Sequence, residues 1–184
     1  GADAVGAHIW AGICWSAGEF EEALEHYRLA ACLQERRGGY WLSYVRAATA
    51  LGRSGEVLAR LEERFERLGG TSGEPARTLA EAYQQLDRTQ DAVRAVERGL
   101  ERRPADGGLL VFAADQAGRS HRLAEAESLL ERARPRVSEN EWRRATARSV
   151  CSAPTRRARR WVPPKPGMTP SFTSGCPNLA LSEA

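Results

Sequence analysis

LAEAYQQLDRTQDAVRAVERGLERRP, residues Leu79 to Pro104, is the stretch from which the rest of the chain can be read. Leu79, Ala80, Tyr83 and Leu86 stand at i, i+1, i+4 and i+7, which places them on one face of a helix, and the polar run Asp87 to Gln90 then breaks the pattern. Ala92, Val93, Val96 and Leu100 restart the same period. Pro104 stops it, because proline has no amide hydrogen to donate and its ring clashes with the preceding turn. Neither helix can bury its apolar stripe alone, so the pair reads as a unit built to stack on copies of itself.

The unit recurs. Residues corresponding to Ala80 stand at Ala11, Val45 and Val111, and residues corresponding to the turn at Asp87 stand at Gly18, Gly52 and Gly118, so both series step by 34, 35 and 31. Leu79-Ala80-x-x-Tyr83 followed by Ala92 and Pro104 resembles a tetratricopeptide repeat. The first copy carries Trp10-Ala11-x-x-Cys14 and then GEFEEALEHYRLA, where Gly18, Phe20, Ala23, Tyr27 and Ala30 follow the family's pattern. The second departs from it at Val57 and at Arg64, where a small residue is usual. In the fourth, Ala126 and Ala133 fit only if the turn from Arg119 to Leu123 is a few residues longer than elsewhere.

The resemblance spans residues 4 to 135 and implies an all-α, right-handed solenoid of stacked helix-turn-helix repeats. It also implies a concave face made by the first helix of each pair. Carrying the family's inner-face positions across gives His8, Trp15, Arg46, Thr49, Arg77, Glu81, Gln84, Gln85, Phe112, Asp115 and Gln116. That mixture suits a protein or peptide ligand: amide and hydroxyl groups meet a peptide backbone, Arg46 and Arg77 meet a carboxylate, and Trp15 and Phe112 act as apolar anchors near opposite ends.

Composition agrees. Apolar residues make up 42% of the chain but aromatic ones only 7%, which favours stacked helices over a sheet core. No apolar run approaches the length of a membrane span, so no membrane insertion is expected. Cys14, Cys32, Cys151 and Cys176 have neither metal-ligand nor redox-motif spacing, and a reducing, cytoplasmic location follows as the expectation. His8, His26 and His121 are too scattered in sequence to suggest a metal site, and no cofactor is expected. The start Gly-Ala-Asp, without methionine, reads as that of a fragment or a processed form.

In chain order, the periodicity predicts a helix over 4–17 packing through Ile9, Trp10, Ile13, Cys14 and Ala17, and a partner over 19–37 that Gly38 and Gly39 end. Pairs over 40–51 with 55–68 and over 108–117 with 122–134 flank the central unit, and Ser138 with Glu141 forms a capping box for a last helix over 139–148. Trp10, Ala11, Tyr27, Tyr44, Ala80, Tyr83, Ala92, Val96 and Leu130 are the expected interior.

Residues 1–148 therefore form the repeat domain, and 149–184 form a tail of different composition. Six of the nine prolines lie in that tail, which is expected to be disordered. It carries five basic residues and one acidic, leaving the repeat domain with 22 basic against 23 acidic, so the basicity of the chain belongs to its tail. The run Arg156 to Arg160 beside Trp161 is the one candidate for nucleic acid, and a solvated linker is the simpler reading. Pro170 to Asn178 faintly resembles the phosphosulfate loop of sulfotransferases with upstream repeats, but Asn178, Leu179, Ala180 and Leu181 stand where arginine and small hydroxyl residues are needed. The expected function is that of a non-catalytic interaction scaffold. The alternative is the N-terminal repeat region of a larger enzyme, such as a sulfotransferase, whose catalytic domain is absent, and a shifted reading frame after about residue 149 would also produce the change in composition.

Overall fold

The structure, a computed structural model, describes residues 3–151. Among them are nine α-helices, α1 Ala4–Ala17, α2 Phe20–Leu33, α3 Gly38–Ala50, α4 Ser54–Leu68, α5 Glu74–Gln85, α6 Thr89–Arg102, α7 Gly107–Arg119, α8 Leu123–Ala133 and α9 Glu139–Cys151, with a short 3-10 turn at Arg134–Arg136. They form four helix-turn-helix hairpins closed by α9. Within these residues there is no strand.

Four turns set the repeat. Gly18, Gly52, Asp87 and His121 all have left-handed backbone, at φ 85°, 71°, 57° and 58°. In each hairpin this residue's N–H bonds to the carbonyl three residues back and the next N–H to the carbonyl five back. Gly18 reaches Trp15 at 3.2 Å and Glu19 reaches Cys14 at 2.9 Å, and His121 reaches Gly118 at 3.0 Å and Arg122 reaches Ala117 at 2.9 Å. That is the Schellman arrangement, which satisfies the last carbonyls of a helix while reversing the chain.

The turn residues step by 34, 35 and 34, which corrects the expected register of the fourth repeat. Its turn residue is His121, not Gly118, and the residue equivalent to Ala11, Val45 and Ala80 is Ala114, fully buried, not Val111. No longer turn is needed, because α7 runs on to Arg119.

Two boundaries also move. α2 ends at Leu33, and Gly38 and Gly39 open α3 instead of closing the helix before it. A Cβ at Gly38 would run into Glu74 Oε1 and Thr78 Oγ1, so the absent side chain is what lets α3 start against α5.

Each second helix packs on the first helix of the next hairpin, α2 on α3, α4 on α5, α6 on α7 and α8 on α9. The core is accordingly alanine-rich, with Tyr44, Leu61, Phe65, Leu79 and Leu110 as its large members. Ala11, Tyr44, Ala80, Tyr83, Ala92, Val96 and Leu130 are buried as the periodicity implies, whereas Tyr27 is half-buried and Trp10 exposed. α1 packs through Ala4, Ala7, Ala11 and Cys14 and leaves Ile9, Trp10, Ile13 and Ala17 in solvent. Small residues allow α2 to approach α1 closely, and the bulkier stripe points where no hairpin stands among the described residues.

Polar groups fix the helix starts. Asp3 caps α1 by accepting from the amides of Val5 at 2.8 Å and Gly6 at 3.2 Å. Asp106 caps α7 through Leu109 N at 3.0 Å and takes the Gly73 amide at 3.0 Å, so one carboxylate joins the starts of α5 and α7. On the second-helix side, Arg53 pairs with Glu21 and Arg98 with Glu62 across neighbouring hairpins, each pair being worth about 0–1 kcal/mol at such exposure.

Candidate functional site

First helices lie beside one another, α3 against α5, α5 against α7 and α7 against α9, while α1 reaches α3 through His8 and Ser43. Three clefts follow this row. One of about 210 Å³ lies between Trp15, Tyr27, Ser43, Arg46 and Ala47. A second, of about 640 Å³, is bordered by His8, Arg36, Arg37, Tyr40, Arg77 and Glu81. The third, of about 730 Å³, shares Arg77 and Glu81 and continues to Phe112, Asp115, Arg119 and Arg144. Of the positions singled out in the sequence, His8, Trp15, Arg46, Arg77, Glu81, Phe112 and Asp115 border these clefts.

Thr49, Gln84, Gln85 and Gln116 border none of them. The Thr49 hydroxyl donates back to the Val45 carbonyl at 2.8 Å. Gln116 is a correction: expected on the inner face, it is buried, because the true register aligns it with Ala47 and Ala82 at the contact with the preceding hairpin. The inner position in that turn of α7 belongs to Arg119, which pairs with Asp115 at 2.8 Å.

The N-terminal half of the row is aromatic and cationic. His8 has Tyr27 and Tyr40 on either side, each ring centroid at 5.3 Å, and its Nε2 lies 3.0 Å from the Ser43 hydroxyl. Ser43 Oγ also lies 3.2 Å from the Gly39 carbonyl and accepts from Arg46 Nη2 at 3.3 Å. Arg46 is thereby aimed, yet it has no carboxylate partner among the described residues. Trp15 is edge-on to Phe20 at 4.9 Å, which fixes its ring at the cleft wall.

The C-terminal half differs. Arg77 is held by Glu81 at 3.1 Å and lies 6.0 Å from the centroid of Phe112, so both its charge and that ring are partly occupied within the protein. Arg36 and Arg37 were not among the candidates, because the periodicity ran α2 through to Arg37. Their signal was the glycine pair that follows, which opens α3 and leaves both arginines on the turn before it.

The structure also brings together residues that the sequence left apart. Donor atoms of Cys14, Glu22 and His26 lie within 4.8 Å of one another, with His26 Nε2 at 3.6 Å from Glu22. Burial, reinforced by the carboxylates of Glu22 and Glu19, pushes the Cys14 thiol up, so it stays protonated and is a core side chain beneath an exposed i, i+4 pair. The Arg156 to Arg160 run and the Pro170 to Asn178 segment lie outside the described residues. No helix among the described residues is long and apolar enough to cross a membrane.

No protein-family model matches the chain, and no curated protein matches it in sequence. Among solved structures it is similar to the MamA RS-1 ArsTM double mutant, at 11% identity over 76% of this chain and 75% of that one, with a TM-score of 0.43. It is similar to PilF of Pseudomonas aeruginosa at 18% identity, 82% and 65% coverage and a TM-score of 0.47. YrrB, described as a TPR protein with an unusual peptide-binding site, shares 16% identity over 84% of this chain and 89% of its own, with a TM-score of 0.39.

Proposed function

We propose that the chain is a non-catalytic protein-protein interaction scaffold, and that its row of first helices holds an extended peptide whose carboxylate meets Arg46. The observation that carries this reading is the state of Arg46. Its guanidinium is hydrogen-bonded to Ser43, the residue shares a cleft with Trp15 and Tyr27, and it has no carboxylate of its own among the described residues, whereas Arg77 is already paired with Glu81. A guanidinium beside aromatic faces on rigid helices recognises a carboxylate flanked by an apolar side chain. Arg36 and Arg37 add cationic charge in the adjoining cleft. The same reading takes residues 1–148 as the binding domain and places the protein in the cytoplasm.

Selection from a displayed peptide library tests it. Selected sequences are expected to combine an acidic residue with an aromatic or aliphatic one. Arg46→Ala should weaken them tenfold or more and flatten the salt dependence, with Arg77→Ala the smaller effect and helix content unchanged. Peptides that bind the Arg46 variant equally well, but are lost when residues 149–184 are deleted, would move the site to the basic tail.

A further inference from the structure

Three of the four hairpins carry the same ion pair just after the turn. Arg53, Arg88 and Arg122 each follow the left-handed residue, and each bonds to the acidic residue three further on, Glu56 at 3.2 Å, Asp91 at 2.7 Å and Glu125 at 2.7 Å. The first hairpin has Glu19 and Glu22 at these two positions, so two carboxylates stand where the fold otherwise sets a cation beside an anion. In the third hairpin the Arg88 guanidinium also lies 4.8 Å from the ring centroid of Tyr83, the residue equivalent to Cys14. A positive charge therefore belongs to this corner of the repeat, and among the described residues neither Glu19 nor Glu22 has an arginine to supply it.

The first hairpin places a set of metal donors there instead. Cys14 Sγ, a Glu22 carboxylate oxygen and a ring nitrogen of His26 lie within 4.8 Å of one another, with His26 Nε2 at 3.6 Å from Glu22 Oε1. Around a four-coordinate zinc ion such atoms stand about 3.3–3.6 Å apart. The nitrogen and oxygen already meet that spacing. The sulfur is fixed in the hairpin, at 2% exposure, and the other two donors need to approach it by about 1 Å, which side-chain rotation of Glu22 and His26, 54% and 29% exposed, supplies. The Trp10 ring stands edge-on to His26 at 6.5 Å and backs the imidazole.

We propose that Cys14, Glu22 and His26 bind a divalent transition-metal ion of the zinc type, which joins α1 to α2 and takes the place that Arg53, Arg88 and Arg122 fill in the other hairpins. Thiolate with imidazole selects such an ion over magnesium or calcium. On binding, the Cys14 S–H bond breaks, its proton leaves to solvent and the sulfur electron pair forms the bond to the metal. Glu22 brings the second negative charge and neutral His26 its Nε2 electron pair, so the dication is neutralised within the site. Without the ion, burial first and then the charges of Glu22 and Glu19 hold the thiol protonated, and that same negative field stabilises a dication. Water on the exposed Glu22 side completes four-coordination.

Titration of the reduced full chain with cobalt(II), followed by zinc(II), tests this. The expected result is one ion per chain, a sulfur-to-cobalt charge-transfer band with the intense visible bands of four-coordination, and displacement of both by zinc. Cys14→Ala abolishes the charge-transfer band, and the fold accepts the change because alanine already holds this position at Ala48 and Ala117. His26→Ala and Glu22→Gln each weaken zinc binding at least about tenfold at unchanged circular dichroism, and so does Glu19→Arg, which restores the arginine of the other hairpins. Cys32→Ser, Cys151→Ser and Cys176→Ser together leave the band in place. Absence of the band, its survival in Cys14→Ala, its loss with the three serines, or an unchanged zinc affinity in Glu19→Arg would each overturn the proposal.

Discussion

Arg64→Ala should destabilise the repeat domain by about 3–5 kcal/mol, the range for removing one partner of a buried ion pair together with its volume. In the other hairpins Ala30, Gly99 and Ala133 hold this position, so here a guanidinium occupies space that the repeat gives to a methyl group or to nothing. The side chain is 1% exposed, reaches Glu74 with Nη2, donates through Nε to the Glu35 carbonyl at 2.6 Å, and lies 5.7 Å from the Trp41 ring centroid. Nη1 has no hydrogen-bond partner among the described residues. Truncation therefore opens a void beside Trp41 and removes charge-assisted hydrogen bonds worth about 1.5–3 kcal/mol each, offset in part by relief of the unpartnered N–H at about 1–3 kcal/mol. Glu74 is 34% exposed and can rehydrate, which keeps its share small. Arg64→Leu refills most of the void without a buried charge, so about 1–2 kcal/mol should remain. Urea unfolding followed by circular dichroism, compared at a common slope, measures both. A loss below about 1 kcal/mol for the alanine variant, or equal losses for both, would show that the guanidinium is not held as described.

Gly99→Ala should lower the melting temperature despite a helix propensity gain of about 1 kcal/mol, because the new Cβ would stand 2.5 Å from Ala76 Cβ, which no rotamer change can move, at an overpacking cost of about 1–3 kcal/mol. A stabilised variant would place α5 and α6 further apart than they are here. Burial and the hydrogen bond to Glu62 push the Tyr83 hydroxyl up to about 12, so its contribution is whole below the unfolded value near 10 and is lost as pH rises from there through the folded value; Tyr83→Phe should remove that part of the alkaline destabilisation. An unaltered alkaline limb would contradict it. Burial raises the Asp106 carboxyl, but the amides of Leu109 and Gly73 and the Arg103 guanidinium outweigh it and hold its pKa below the usual value near 4. Its stabilisation is thus present above that value and lost as pH falls through the folded one, and Asp106→Ala should cost about 1–2 kcal/mol at neutral pH and little at pH near 2.

The repeat was legible because its determinants are local. Small residues at Ala11, Val45 and Ala80 and turns at Gly18, Gly52 and Asp87 stand at spacings that any periodic reading finds. The fourth repeat misled because Gly118 looks like a left-handed turn residue while His121 does not. Glycine tolerates that conformation without requiring it, and the Schellman bonds, invisible in sequence, select His121. The α1 face misled for another reason. Ile9, Trp10 and Ile13 are more hydrophobic than Ala4, Ala7 and Ala11, but hydrophobicity ranks what can be buried, and among the described residues the first hairpin has a neighbour on one side only. Of the candidate site, the cleft-lining residues of α1, α3 and α5 follow from register alone, while the pairing of Arg77 with Glu81 and the freedom of Arg46 depend on side-chain geometry that spacing does not encode.

The buried arginine and the exposed ones belong to one construction. Arg64 Nε and Trp41 Nε1 both donate to the Glu35 carbonyl, at 2.6 and 3.1 Å, and so clamp the turn immediately before Arg36 and Arg37. Glu74, the partner of Arg64, packs with Thr78 against Gly38 at the start of α3. A departure from the repeat pattern in α4 thus sets the position of two cations that border the middle cleft, although Arg64 itself does not reach that cleft. If Arg36 and Arg37 take part in binding, Arg64→Leu should weaken a selected peptide without touching it, through faster dissociation from a loosened turn, while the contact with Arg46 persists. Combining Arg64→Leu with Arg36→Ala and Arg37→Ala should then add nothing to the loss from the two surface changes, since residues acting through one turn are not additive. Additive losses would mean that Arg64 stabilises the stack and has no part in presenting those arginines.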